Sequence, residues 1–315
     1  MLSALRFARH SDTVLAQLVR TVAYSASGSA LWALLPSVAA QSLGMGATGF
    51  GFLMGCLGTG AVAAGFVVGR LRERLGLERL VMGGCVVFAI VMVVAALSHA
   101  RPVVYAALVV GGAAWISVMS SFNTATQTSV PPWVRARATA MHTLCALGSF
   151  AIGSALWGAV SGLFGLALAL LAGAAAMAGG LLLVRPFPLR VGELTEVTQA
   201  TLSEDLFVAE HPDPEAGPVA VEIVYRVKPG ATPAFLEDVS QLRGPRRRDG
   251  ATFWRVYRDL SDPAVYVERF IVTSWAGYLH QRARRTLADQ ALDEALRPHL
   301  EGGEPLATRH YIAER

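Results

Sequence analysis

The sequence predicts an all-α membrane domain of six transmembrane helices, followed by a small α+β domain in water. Four runs without Asp, Glu, Lys or Arg cover most of the first part, at 21–69, 80–100, 102–134 and 138–184. Charge then changes sign along the chain. Residues 1–185 hold 11 Arg against three acidic residues, and residues 186–315 hold 16 Lys and Arg against 20 acidic residues. We therefore expect a membrane domain at 1–185, a linker at 186–217 and a soluble domain at 218–315.

The lengths of the uncharged runs predict the number of helices. They contain 49, 21, 33 and 47 residues, and one helical crossing of a bilayer core takes about 20 apolar residues. The first and last runs therefore hold two crossings each, separated by Gly-rich breaks at 41–46 and 161–165. We expect spans at the following positions: 13–40, 47–69, 79–98, 102–129, 137–160 and 164–184.

The arginines predict the orientation of these spans. Eleven of them fall on one face, and Arg101 alone falls on the other. The cytoplasmic face is the one richer in Lys and Arg. The eleven are Arg6, Arg9, Arg20, Arg70, Arg72, Arg74, Arg79, Arg135, Arg137, Arg185 and Arg190. We expect a multi-pass protein of the inner (plasma) membrane with both termini in the cytoplasm. Its partner is the lipid bilayer, and the pI of 9.2 does not indicate nucleic acid.

Small residues in the spans predict tight packing. Gly51 and Gly55 form a G-x-x-x-G pattern, which permits close helix approach. Packing within one bundle is the favoured interpretation, and a dimer face is the alternative. The three cysteines lie inside spans and form no C-x-x-C pair, so we interpret them as packing residues. We expect no catalytic residue, no metal site and no cofactor.

Polar side chains inside the spans are candidates for a substrate path, because polar groups are costly in lipid and often mark such routes. The fourth span carries Trp115, Asn123, Thr124 and Gln127, and the fifth carries His142. Hydrogen bonding between helices is the alternative for the polar cluster. An interfacial position is the favoured interpretation of His142. No span contains Asp or Glu, so this part of a carrier supplies no carboxylate for proton coupling. Three tryptophans could line a cavity or simply pack: Trp32, Trp115 and Trp157.

Charged residues in two connections are candidates for a latch between helix bundles, with interfacial anchoring as the alternative. The latch candidates are Arg70, Arg72, Glu73 and Arg74 between the second and third spans, and Arg135 and Arg137 between the fourth and fifth.

Four segments resemble the major facilitator superfamily of transporters: GRLRERLG at 69–76, PPWVRARATAM at 131–141, SALWALLP at 29–36 and FNTA at 122–125. The last two are similar to the enterobactin-exporter-like branch. The resemblance covers nearly all of 1–185 and implies the C-terminal six-helix half of a twelve-helix carrier, whose substrate sits between two halves. It implies efflux of a small amphipathic molecule such as a siderophore or drug. Gly69 stands where the family has Asp, which weakens the latch assignment.

The family's twelve-helix design has a consequence for partners. This chain begins just before the position of the seventh helix, so it is either a truncated product or a unit that assembles with a second half or a second copy. We expect a homodimer formed through both domains, or a separate half as partner.

The soluble domain is predicted to follow the order β-α-β-β-α-β, which is that of the ferredoxin-like class. We expect strands at 219–227, 252–259, 265–273 and 307–312, helices at 232–243 and 274–300, and a turn at 244–250. The Arg run at 246–248 is interpreted as a solvated turn, with contact to anionic headgroups as the alternative.

Two strand segments, FWRVYRD at 253–259 and VERFIVTSW at 267–275, resemble antibiotic-biosynthesis-monooxygenase-like proteins. That family pairs its sheets into dimeric α+β barrels, and some members oxidise polycyclic aromatics without metal or flavin. The resemblance makes Trp254, Tyr257, Trp275 and His280 candidates for a barrel cavity. We expect dimerisation or ligand sensing rather than catalysis. The alternatives for the whole chain are a membrane-tethered monooxygenase-like enzyme and a non-transporting regulatory partner.

Overall fold

A computed structural model describes residues 2–184, 186–189, 193–200 and 212–314. Contacts divide the chain into two compact units. The membrane unit comprises Thr13–Thr128 and Arg135–Val191, and the sheet unit comprises Met1–Asp12, Ser129–Val134 and Gly192–Arg315. The sequence analysis placed all of 1–185 in one domain. The structure instead groups the N-terminal residues and a short connection with the soluble part.

Long helices form the membrane unit, and helix α1 (Leu2–Arg9) precedes them in the sheet unit. The long helices are α2 (Asp12–Ser37), α3 (Ala47–Leu75), α4 (Leu77–Leu97), α5 (Arg101–Thr128), α6 (Pro132–Phe164) and α7 (Leu166–Leu183). Pro36 lies in the last turn of α2, and a π-helical turn follows at Val38–Ser42. Gly76 and Gly165 separate adjoining helices with φ of +80° and +90°, a conformation that glycine adopts without steric cost.

Five of these helices, α3 to α7, are long and apolar enough to cross a bilayer. Helix α2 is as long, but serines at 25, 27 and 29 lower its hydropathy. It nevertheless buries 15 of its 26 residues, against three in α3. A helix with small polar residues and this much burial belongs in the interior of its unit.

Helices α3 and α5 approach most closely at two glycines. A Cβ atom on Gly60 would collide with the carbonyl oxygen of Val109, and one on Gly112 would collide with that of Leu57. Gly51 and Gly55 instead face open space. The G-x-x-x-G pattern therefore does not pack within this bundle, because the α3–α5 contact lies further along the helix.

The sheet unit contains four antiparallel strands in the order β2-β3-β1-β4. These are β1 (Val219–Arg226), β2 (Phe253–Arg258), β3 (Val265–Val272) and β4 (Ala307–Ile312). Its further helices are α8 (Leu194–Val197), α9 (Thr232–Gln241), α10 (Arg243–Asp249), α11 (Trp275–Ala283) and α12 (Leu287–Leu296). Alternate residues of β1 and β3, such as Val221, Tyr225 and Phe270, form the core.

One segment expected to be a turn is a helix, and described residues at the ends of the expected linker contact the sheet unit. Residues 243–249 form helix α10 instead of a solvated turn. In the region expected to be a linker, Gln199 makes a β-bridge to Thr286, and the amide of Trp275 donates to the carbonyl of Ala216. Both differences have one cause, because the residues that hold these segments in place are distant in sequence and local pattern does not reveal them.

Candidate functional site

An ion pair between the buried Arg20 and the half-buried Glu78 joins helices α2 and α4 to the segment after α7. Arg20 on α2 is 5% exposed, and its Nη2 lies 2.8 Å from Oε1 of Glu78 on α4. The Nε atom of Arg20 donates to the carbonyl of Phe187, just beyond α7, at 2.7 Å. Oε2 of Glu78 accepts from the amide of Leu189 at 2.8 Å. Both charges are thus paired and hydrogen-bonded, as buried charges must be.

Sequence reasoning missed this ion pair because it used Arg20 only to orient the helices. A signal was present, since Arg20 lies two turns inside α2, whereas the other arginines of this unit that the structure describes lie near helix ends. A cation so far along a membrane helix requires an anionic partner. Glu78 is one of only two glutamates in the first 185 residues.

Aromatic rings from three other helices surround Trp115, which lies on α5 in the membrane unit. Its ring centroid lies 5.0 Å from that of Tyr24 in a stacked arrangement and 5.6 Å from that of Trp32 in an edge arrangement. Phe88 and Phe150 follow at 5.3 and 6.1 Å. We call these five residues the aromatic cluster. Trp157 is not a member, because its Nε1 donates to the Ala26 carbonyl at 2.7 Å.

Three polar atoms on α2 in and beside the aromatic cluster are buried without a hydrogen-bond partner among the described residues. They are Oη of Tyr24, Oγ of Ser25 and Nε1 of Trp32. A buried polar group left unpaired costs about 1–3 kcal/mol, so such atoms are rare in native structures. Their position makes α2 the side of the cluster that can bind a ligand with hydrogen-bonding groups.

The structure joins one latch candidate to one path candidate. Nη1 of Arg72, near the end of α3, donates to Oγ1 of Thr124 at 3.0 Å, and Nη2 lies 3.5 Å from Oγ of Ser120. Asn123 and Gln127 are exposed one turn apart on α5 and hydrogen-bond to each other. The polar cluster thus lies in the last two turns of α5, at a helix end rather than at mid-span.

The other membrane candidates are separate from this pair. Arg70, Glu73 and Arg74 are exposed at the end of α3, and Arg135 and Arg137 are exposed at the start of α6. His142 is buried, with Nδ1 3.3 Å from Oγ1 of Thr21, and its interfacial position stays a prediction. Arg185 and Arg190 lie outside the described residues.

A cavity of about 230 Å³ lies between the sheet and the helices of the sheet unit. Apolar residues of β1 and β3 and charged residues of α10 to α12 line it, among them Ile223, Phe270, Arg246, Arg285 and Asp293. None of the four predicted barrel-cavity residues lines this space.

Each of those four residues is either exposed or packed elsewhere in the sheet unit. Tyr257 and His280 are exposed, Trp275 is buried against Tyr278, and Nε1 of Trp254 donates to Glu268. The prediction rested on the resemblance to a family of dimeric barrels, and it stays a prediction for a cavity that such a dimer would form.

Glu268 on β3 is the centre of a buried network beside the cavity. It is fully buried and accepts from Oη of Tyr225 at 2.9 Å, Nε1 of Trp254 at 2.8 Å and Nε of Arg246 at 3.1 Å. Arg246 also pairs with Asp293 at 3.1 Å. Burial followed by the charge of Glu268 raises the pKa of Tyr225 well above its ordinary value. The Arg run is therefore part of the interior of this unit, because its acidic partners lie on β3 and α12.

Two further groups near the cavity have displaced pKa values. Burial raises the pKa of Asp249 to about 6, even though Arg248 donates two hydrogen bonds to its carboxylate. Burial, and then the charge of Arg282, lowers the pKa of His310, whose Nε2 lies 2.6 Å from Oη of Tyr278. Across the described residues, no group of three or more His, Cys, Asp or Glu side chains could hold a metal ion.

Comparison with known proteins gives one result that covers the chain. A search of curated proteins found no match. The family described as "Transmembrane secretion effector" (MFS_3) matches residues 1–315. This match agrees with five apolar spans and with a buried, paired charge between helices of the membrane unit. The chain therefore belongs to the transmembrane secretion effector family, whose members are membrane carriers of the major facilitator type.

Proposed function

We propose that this protein exports a small amphipathic molecule with an aromatic body, of the siderophore or drug kind, across the cytoplasmic membrane. The observation that carries this proposal is the set of unpaired polar atoms on Tyr24, Ser25 and Trp32 beside the aromatic cluster. Rings offer stacking surface to an apolar body, and the free donors and acceptors suit its polar groups.

Two contacts of the membrane unit have different roles in the proposed transport cycle. Arg20 joins α2 to α4 and to the segment after α7, and Arg72 joins α3 to α5. Rocking of a carrier around a central site requires contacts between helices to break and re-form. We assign the Arg20–Glu78 pair to the permanent frame, because both partners are fully satisfied. We assign the Arg72–Thr124 hydrogen bond to the moving part, because it lies at two helix ends.

The grouping of α1 and residues 129–134 with the sheet supports six crossings. A water-soluble sheet lies on one side of the bilayer, and segments packed in its unit lie on the same side. The chain from 13 to 128 must then cross the membrane an even number of times. Helices α3, α4 and α5 supply three crossings, so α2 supplies the fourth. Helices α6 and α7 add two, and both termini are cytoplasmic by the positive-inside rule.

Open small-residue positions on α3 support a second bundle as partner. Gly51, Gly55 and Gly58 have no atom near their missing Cβ positions among the described residues. In lipid, such positions are where another helix approaches closely. We propose that a second copy of this chain, or a separate six-helix half, packs there and completes the transport path.

The uncovered face of the sheet supports pairing through the soluble part as well. Strands β1, β3 and β4 present Glu222, Arg269 and Tyr311 on the face opposite to the helices, together with Tyr257 of β2. Arg269 pairs with Glu222 and lies 5.8 Å from the ring centroid of Tyr257. With its β-α-β-β-α-β order, this face suits a ferredoxin-like domain that dimerises into a barrel.

The test uses everted membrane vesicles that contain the full chain and a panel of fluorescent aromatic dyes. We expect at least one dye to accumulate in vesicles with the chain and not in vesicles without it. Tyr24→Phe and Trp32→Phe keep the rings but remove or replace the polar atom, so we expect each to reduce uptake about tenfold, on the order of 1.4 kcal/mol of lost stabilisation. Trp157→Phe, outside the cluster, is the matched control for Trp32. Equal uptake by all three variants would contradict the assignment of the site.

A further inference from the structure

The connection between α5 and α6 is buried, although connections usually run over the surface. Residues 129–134 belong to the sheet unit. Val130 and Val134 are fully buried in this segment, and Ser129 is 5% exposed. A short connection with this burial is fixed in place by its surroundings.

Two arginines of the soluble part stand over aromatic rings that come from elsewhere in the chain. Cζ of Arg284 lies 4.4 Å from the ring centroid of Trp133, and Cζ of Arg248 lies 5.6 Å from that of Phe7 on α1. The two rings contact each other edge-on at 5.8 Å. We call these four residues the arginine clamp. Nη1 of Arg6 adds a hydrogen bond to the carbonyl of Gly250 at 3.0 Å. The two cation–π contacts of the clamp are stronger where water is excluded from them.

The arginine clamp is connected to the core of the sheet unit through α10. Arg248 is held by Asp249 and Asp289 at 2.8 and 2.6 Å. Nη1 of Arg284 donates to the carbonyl of Asp249 at 3.2 Å. Two residues before Arg248, Arg246 enters the Glu268 network and lines the cavity. One short helix therefore carries both a residue of the cavity wall, Arg246, and one of the two clamp arginines, Arg248.

We propose that the arginine clamp is a conformational coupling device, in which the sheet unit holds α1 and the α5–α6 connection and thereby controls movement of the adjoining ends of α5 and α6. The proposal rests on the proposed transport function, since movement of helix ends is what the clamp would restrain. It does not depend on the identity of the cargo. Coupling between two places in a protein is reciprocal. A change at the clamp should therefore alter the stability of the helix ends, and a change at the helix ends should alter the stability of the clamp.

The test measures backbone hydrogen exchange of the full chain in lipid nanodiscs. For Trp133→Ala and Arg284→Ala we expect exchange to become at least threefold faster in 129–134 and in α1, and this increase to spread into the last two turns of α5. The reverse arm uses Arg72→Ala, which frees Thr124 at the end of α5 and lies outside the clamp. We expect this variant to change exchange in α1 and α10.

Matched controls separate coupling from loss of folding. Trp133→Phe keeps a ring under Arg284, and Arg284→Gln keeps a donor for the Asp249 carbonyl without the charge. We expect a small effect from the first and a large effect from the second. Arg255→Ala, exposed on β2, should change nothing in 129–134. The proposal is overturned if the clamp variants affect 129–134 alone and Arg72→Ala leaves α1 and α10 unchanged. Because exchange needs no cargo, failure of dye uptake leaves this test intact.

Discussion

At the scale of single residues, charge pairs in this chain fall into buried and exposed classes. Glu268 is fully buried with three donors, whereas the side chains of the Arg226–Asp262 pair are 38% and 39% exposed. Removing one partner of a buried pair leaves an unpaired charge in a low dielectric, which costs about 3–5 kcal/mol. Exposed pairs contribute about 0–1 kcal/mol.

Glu268→Ala should therefore destabilise the sheet unit by about 3–5 kcal/mol, because Arg246 loses a buried anion. Arg226→Ala, on the neighbouring strand β1, should cost less than about 1 kcal/mol because its ion pairs are exposed. Urea titration of the full chain in nanodiscs, read by pulse proteolysis of the sheet unit, measures both. Equal losses for the two variants would show that Glu268 is not the centre of the network.

His310 should make the stability of the sheet unit depend on pH. Its pKa is lowered by burial and by Arg282, so the unfolded chain binds the proton more readily than the folded one. Its contribution is fully present above the ordinary His pKa of about 6.5 and is lost as pH falls through the lowered value. Asp249 and Asp293, with raised pKa values, act in the opposite direction. Between pH 7 and 5, the His310→Gln variant should therefore lose less of its free energy of unfolding than the natural chain, as measured by urea titration at each pH. The same dependence on pH in both proteins would contradict this prediction.

At the scale of elements, helices and strands followed from local pattern, whereas their partners did not. Uncharged runs predicted α3 and α4 within a few residues, because lipid excludes charge locally along the chain. The α10 helix was predicted as a turn, because Gly244 and Pro245 are turn residues. What makes it a buried helix is Glu268 and Asp293, more than 20 residues away. Likewise, the sequence does not predict that Tyr24 stacks on Trp115, because that contact depends on how α2 packs against α5.

The α3–α5 contact should tolerate no added side chain at its two glycines. Gly60→Ala and Gly112→Ala each place a Cβ against a carbonyl oxygen of the facing helix, so each should destabilise the membrane unit by about 1–3 kcal/mol through overpacking. Thermal unfolding of purified protein in nanodiscs measures the loss. Gly83→Ala, a glycine in open space on α4, is the control and should be neutral. Unchanged unfolding of Gly60→Ala would mean that the helices are further apart.

At the scale of the whole molecule, the membrane topology depends on α2. The helix falls outside the set of strongly apolar spans, and the even number of crossings that we propose between α1 and residue 129 includes it as a span. If α2 lay on the surface, the connection at 129–134 and α1 would be on opposite sides of the bilayer. Such an arrangement cannot place Phe7 against Trp133.

Impermeant maleimide labelling of intact cells should show this topology. In a background without the three native cysteines, Gln41→Cys should react from outside, because it follows α2. Glu73→Cys, at the end of α3, should react only after permeabilisation. Both native side chains are exposed. Reaction of Glu73→Cys in intact cells, with Gln41→Cys protected, would place α2 on the surface and reverse the sidedness.

The arginine clamp also has a consequence for how the protein is made. Arg6 and its acceptor Gly250 are 244 residues apart, and a ribosome adding about 5–20 residues per second needs on the order of 12–50 s to bridge that interval. All the membrane helices are synthesised in this interval, before Arg248 and Arg284 exist to contact the rings of Phe7 and Trp133. The sheet unit is thus completed only after the membrane helices have been synthesised, and a chain that lacks its last hundred residues would leave the rings of Phe7 and Trp133 without their arginine partners.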